Sequence, residues 1–119
     1  MATIAKRKLS GSTDGRGVLV AATATPGTLV HTAVAGTVSG TFDEIWVYAY
    51  NSDTVDRVLT IELGGVTAPN DNIKVTIPAL QGRFLVVDGA ILQNGTVVRA
   101  FAAAANVVVV SGFVNAISA

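Results

Sequence analysis

Apolar residues along this 119-residue chain recur at every second position, the spacing of strands. Over residues 55–63, Val55, Arg57, Leu59, Ile61 and Leu63 alternate with Asp56, Val58, Thr60 and Glu62, which sets a mostly apolar face against a mostly polar one. Ile73, Val75 and Ile77 alternate with Lys74 and Thr76 until Pro78 stops the run. The strongest strand is 42–50, with Ile45, Val47 and Ala49 on one side and Trp46, Tyr48 and Tyr50 on the other. Further runs lie at 18–23, 28–34, 83–87, 97–101 and 107–114, and 115–119 reads as a short tail. Turn residues separate them: Pro26-Gly27, Asn51-Ser52-Asp53, Gly64-Gly65, the loop 68–72, and Asp88-Gly89, which is expected to close a strand. Asn94-Gly95 predicts a type I′ hairpin, because both residues tolerate positive φ.

No long stretch places apolar residues at helical spacing, and residues 102–105 read as a connector. Residues 100–114 are apolar, but Asn106, Ser111 and Gly112 interrupt them, and the run is short of the about 20 residues of a membrane helix. Its consecutive valines suit a buried strand, so the segment is expected to be strand, turn, strand. The resulting expectation is an all-β chain: a single-domain antiparallel β-sandwich or jelly roll of about eight strands.

Composition adds an assembly argument. Half the residues are hydrophobic and only 13% are charged, against about 25% in an ordinary soluble domain. A small domain has much surface to cover, so the deficit implies that other subunits cover part of it, as a homo-oligomer. Net charge is zero but unevenly spread. Residues 1–17 carry Lys6, Arg7, Lys8 and Arg16 against Asp14 alone, a net +3, and the rest carries −3. The domain reading follows: 1–17 an extended basic N-terminal arm, jointed by the glycine-rich 11–17, and 18–119 a mildly acidic body. Such an arm suits an acidic partner surface. No basic stripe continues it, so nucleic acid is not an expected partner. The absence of Cys excludes disulfides and thiolate chemistry, and residues 1–15 hold no apolar run, so a secretory signal is not expected.

Candidate chemistry is sparse. The one His, His31, sits in a Thr/Val strand without triad spacing and is expected to be structural. With no Cys and one His, a zinc site has too few ordinary ligands. Asp43-Glu44 is the one adjacent acidic pair, and neighbouring strand residues point to opposite faces. A glycosidase-like pair would need Glu62 or Asp56 from another strand. Asn70-Asp71-Asn72 lacks the spacing of a calcium loop and is expected to bond its own backbone. The 11–17 loop lacks the Gly-Lys-Ser/Thr of a P-loop. The reading is therefore no enzyme, no catalytic residue, no cofactor, no metal and no small-molecule substrate. Trp46, Tyr48 and Tyr50 remain as a row that either lines the core, forms a subunit interface or makes a sugar platform.

The phrases RKLSGSTDGRGVLVAATATPGTLVHTA, DEIWVYAYNSDTVDRVLTIELGG and IPALQGRFLVVDGAILQNGTVVRAFAAAANVVVVSGFVN resemble small structural proteins of tailed-bacteriophage heads, in particular capsid decoration (cement) proteins. The resemblance covers nearly the whole chain, in texture rather than in a diagnostic motif. It implies a jelly-roll or sandwich body, a trimer at local threefold axes of a capsid, and an arm reaching over neighbouring capsomers. It further implies the major capsid protein as partner, with Lys6, Arg7, Lys8 and Arg16 on it, and a virion location after synthesis in the host cytoplasm. The class carries no catalytic residues. The alternative expectation is a phage fibre, receptor-binding or carbohydrate-binding β-sandwich module, using Trp46, Tyr48 or Tyr50.

Overall fold

The alternation becomes strands nearly everywhere it was read. The computed structural model describes residues 2–119, and these form nine strands and no helix. They are β1 (Thr3–Lys8), β2 (Val18–Leu19), β3 (Thr28–Thr32), β4 (Phe42–Asn51), β5 (Arg57–Leu63), β6 (Asn72–Ile77), β7 (Phe84–Leu92), β8 (Val97–Ala102) and β9 (Val108–Ser118). One sheet runs β1-β9-β4-β7, with β2 also on β9, and the other runs β3-β8-β5-β6.

The pairing has a simple logic. β5 pairs β6, β4 pairs β7, β3 pairs β8 and β2 pairs β9, all antiparallel. The chain is thus one long hairpin, tip at β5–β6, rolled until β4 meets β9 and β5 meets β8. That is the strand order of a jelly roll, the more specific of the two expected all-β folds. The sheets pack Ile45, Val47, Ala49, Val108, Val110 and Val114 from the first against Val30, Leu59, Ile61, Val98 and Ala100 from the second. Burying each larger aliphatic side chain contributes about 1.5–3 kcal/mol before entropy is counted. Residues 100–114 are strand, loop and strand as expected. Asn94 and Gly95 take φ of 64° and 65° in a tight turn, but the expected hairpin does not form: the turn carries the chain from β7 in the first sheet to β8 in the second, and the two strands do not pair.

Four further local readings change. The arm is extended but lies on the body: β1 runs along β9 from Thr3↔Ser118 to Lys8↔Phe113, and Leu9 is fully buried. Exposed on its free edge and rich in Lys and Arg, β1 shows no burial alternation that a sequence pattern would reveal. The joint at 11–17 is closed on itself, with Ser12 Oγ donating to the Arg16 carbonyl and Gly11 N–H to the Val30 carbonyl. The tail 115–119 is mostly strand, completing the partner of β1. Asp88-Gly89 does not end a strand. β7 passes through it, and the register against β4 shifts there, between Ile45 and Trp46. Gly89 takes φ +88° in that bulge, so a turn-like residue serves mid-strand.

Candidate interaction face

The strand register decides what the first sheet turns outward. β4 alternates buried Asp43, Ile45, Val47, Ala49 and Asn51 with half-buried Phe42, Glu44, Trp46, Tyr48 and Tyr50. The aromatic row therefore lies on the sheet's outer surface, opposite the core. On β9 the same face carries Ile117, Asn115, Phe113, Ser111 and Val109, register partners of Phe42, Glu44, Trp46, Tyr48 and Tyr50. β1 adds Ile4 and Lys6, β2 adds Leu19, and β7 adds Leu85, Asp88 and Ile91. Ile4 is 67% exposed and Ile91 58%, so the apolar surface reaches both edges uncovered.

The centre of this face is firmly built. The Trp46 and Phe113 rings lie nearly parallel, 11° apart, with centroids 6.1 Å apart. Trp46 Nε1 donates to Glu44 Oε1 at 2.8 Å, and Asn115 Nδ2 donates to the same oxygen at 3.0 Å. These two bonds, Asn115's first, hold the Glu44 carboxyl below the usual glutamate range against a smaller opposing effect of desolvation. Backbone makes room for the indole: a Cβ on Gly89 would stand 3.1 Å from Trp46 Cζ2, and one on Gly112 would collide with the Trp46 carbonyl. Two cations complete the row. Lys6 Nζ sits 4.2 Å from the Phe113 ring centre, and Arg83 Cζ sits 4.9 Å from that of Tyr48.

The four basic residues of the N-terminal segment do not act as one patch. Lys6 joins the aromatic face, and Arg7 points to the opposite, inner side of β1. Lys8 Nζ donates to the Ser12 carbonyl at 3.0 Å, and Arg16 lies within the 11–17 loop, near Leu19 and Val109.

The acidic candidates separate as well. Asp43 faces inward to His31, Glu44 faces outward to Trp46, and Glu62 lies on the outer side of the other sheet. Asp56 Oδ1 accepts from the Ala79 N–H. No two of these carboxylates converge. Asp71 accepts the Thr67 N–H at 3.0 Å, so the 68–72 loop does bond its own backbone. Among the described residues no three His, Asp or Glu side chains gather.

Two buried polar clusters escaped the sequence reading. His31 is buried, with Nε2 2.7 Å from Asp43 Oδ2, while Nδ1 accepts the Ser10 N–H at 3.0 Å. The accepting Nδ1 fixes the proton on Nε2, which donates to Asp43. Ser, His and Asp are all present, but Ser10 offers its main-chain amide, and its hydroxyl accepts from Thr32 N–H. That is a structural tie rather than a nucleophile aligned with its base. Glu62, on the mostly polar side of its strand, is 1% exposed. Residues 21–27 fold over it, and its oxygens accept from Thr25 Oγ1 and Gly27 N–H at 2.5 and 2.6 Å. No local signal marks either cluster, because each joins residues 12 to 37 positions apart.

Compared with known proteins, the chain matches no family model, no curated protein and no solved structure.

Proposed function

We propose that this chain is a structural protein of a bacteriophage virion, which decorates the capsid by docking on the lattice of the major capsid protein, as a trimer. The observation that carries the reading is the contiguous aromatic and aliphatic outer face of the β1-β9-β4-β7 sheet, uncovered by the chain itself. Trp, Tyr and Arg are the side chains that dominate protein interfaces. Trp46, Tyr48 and Arg83 supply all three, and Lys6 and Tyr50 extend the row. Low charge and the resemblance to head proteins point the same way, and the jelly roll is a fold used in capsids. Fold alone assigns no role, so the weight rests on the face. The role is docking, without catalysis or cofactor. Closed symmetry lets one such face serve every subunit, and many weak contacts on a lattice add by avidity. The protein is then made in the host cytoplasm and ends on the virion surface.

The test is occupancy on capsids that lack the protein, read by gel densitometry after sedimentation, with solution mass from light scattering. Wild type is expected to saturate a fixed number of sites, and Trp46→Ala to lose occupancy about tenfold. Undiminished occupancy by a folded Trp46→Ala, Tyr48→Ala double variant sinks the docking role of this face. A persistent monomer sinks the trimer.

The near-parallel Trp46 and Phe113 rings favour one second reading, a carbohydrate-binding module of a phage fibre. Glycan-array binding that Trp46→Ala abolishes, in a protein with no affinity for capsids, would replace the first reading with this one.

A further inference from the structure

The sandwich is open along one side, between β1 of the first sheet and β3 of the second. A groove of about 490 Å³ lies there, a size in the range of ligand sites. The residues at its floor are small: Ala5 and Ala116 face each other across the β1–β9 ladder. Val34 and Val114 supply apolar walls. At its base the His31–Asp43 pair is mutually satisfied, and Val34 N–H gives Asp43 a further bond at 3.2 Å.

The electrostatics are one-sided. Asp43 is the one acidic residue on the lining, and it is already paired with His31. Lys8 is engaged by Ser12. Arg7 lines the groove, is exposed, and its guanidinium has no hydrogen-bond or ion-pair partner among the described residues. Alongside runs β1, an edge strand whose one neighbour is β9, so its other side offers unpaired backbone groups to an extended chain. An unpaired edge, small apolar floor space and one free guanidinium fit a single kind of occupant.

We propose that this groove takes an extended acidic segment of the partner protein, laid along β1 with a carboxylate on Arg7. The inference rests on the decoration reading for the source of that segment, the coat lattice, and gives that partner a chemistry: small or β-branched residues flanking an Asp or Glu. The aromatic face then carries the broad contact, and the groove reads the tether.

The experiment uses the full chain, isotope-labelled, with blocked pentapeptides of Thr and Val around a central Asp, Asn or Lys. Amide shifts on titration report both affinity and place. The Asp peptide is expected to shift residues 3–7, 32–34 and 114–118, and to bind about tenfold more tightly than the Asn peptide, the scale of one hydrogen bond to a charged group. Arg7→Gln is expected to erase that difference, and Lys74→Gln, on the other sheet, to keep it. Equal binding of Asp and Asn peptides, shifts elsewhere, or no binding at millimolar peptide overturns the proposal. Shifts of the groove that track protein concentration instead name a second copy as occupant and overturn it too. Capsid occupancy of Arg7→Gln separates the two readings. Wild-type occupancy by this variant overturns the groove's role while leaving decoration intact. Peptide binding by a protein that never fills capsids supports the acidic-segment site and removes the coat lattice as its source.

Discussion

The two sheets turn different outer faces to solvent, although the same two-residue alternation built both. On the β3-β8-β5-β6 sheet the outward positions are mostly polar: Thr32, Asn72, Lys74, Thr76, Arg99, and the buried Thr60 and Glu62, with Leu29, Val58 and Phe101 among them. Residues 21–27 lie over part of that face, anchored on Glu62, with Ala22 accepting from Ala102 N–H. On the β1-β9-β4-β7 sheet the outward positions are mostly aromatic and aliphatic, with Lys6, Glu44, Asp88, Ser111 and Asn115 among them, and the 11–17 loop reaches them at Val109. The chain folds its own backbone over part of the polar face and leaves the central aromatic row half-exposed. The difference teaches that one alternation can build two outer faces of unlike chemistry, an aromatic one and one bonded over by the chain's own backbone.

This contrast can be broken from its foundation. Gly112→Val puts a branched side chain against the Trp46 carbonyl in the middle of the first sheet. The expected cost is about 3 kcal/mol or more, read as a lowered midpoint in denaturant melts. A melt indistinguishable from wild type would mean that β4 and β9 part easily. Next in size, Glu62→Ala strands the Gly27 N–H and the Thr25 hydroxyl. It should lower stability by about 2 kcal/mol and speed hydrogen exchange at Gly27, thereby uncovering the polar face. Trp46→Ala is expected to remove about 1–2 kcal/mol in the same melts, since the ring is only half-buried. Under the proposed docking role, its larger expected effect is lost capsid occupancy. Thr76→Ala, at an exposed outward position of the other sheet, should change stability by less than about 0.5 kcal/mol and leave occupancy alone.

The smallest effect is in pH. Glu44 is held below the usual glutamate range by Asn115 and Trp46, so its charged form is favoured in the folded protein. Its contribution is present above the unfolded value, about 4.3, and fades as pH falls through the lowered folded value. The Trp46 indole N–H resonance should therefore shift on acidification with a midpoint below that of an ordinary glutamate. Asn115→Ala should move the midpoint upward. An unmoved midpoint would show that the Asn115 bond does not hold the carboxylate.

Much of this contrast was legible in the sequence. Alternation in 42–50 gave the two rows of β4, though not which row was core. That choice depends on the companions each row meets, Val110 and Val114 inside, Phe113 and Ser111 outside, and these come from β9, far along the chain. The turn at Asn94-Gly95 was legible because positive φ constrains its own two residues, but the hairpin was not, because which strands pair depends on β4 and on β3 and β5, far along the chain. Asp88-Gly89 misled because positive φ serves a bulge as well as a turn, and only the neighbouring Trp46 ring distinguishes them. β1 was hidden by its charges, which an edge strand carries without cost. Glu62 and the His31–Asp43 pair were hidden for a different reason. Their burial is made by segments folding over them, and side-chain period reports the strand, not what later covers it.

The rolled hairpin also imposes an order in time. Closing the loop between β5 and β6 costs little entropy, because few residues separate them. Each further pair, β4 with β7, β3 with β8 and β2 with β9, closes a longer loop unless the pair inside it has already formed. Folding that zips outward from the tip avoids those closures and makes β1 the last strand to arrive. With so much non-local pairing the chain belongs among the slow folders, on the scale of milliseconds to seconds. The edge that borders the groove is then also the first to open, so a partner segment lying along β1 would act as a latch on the whole roll.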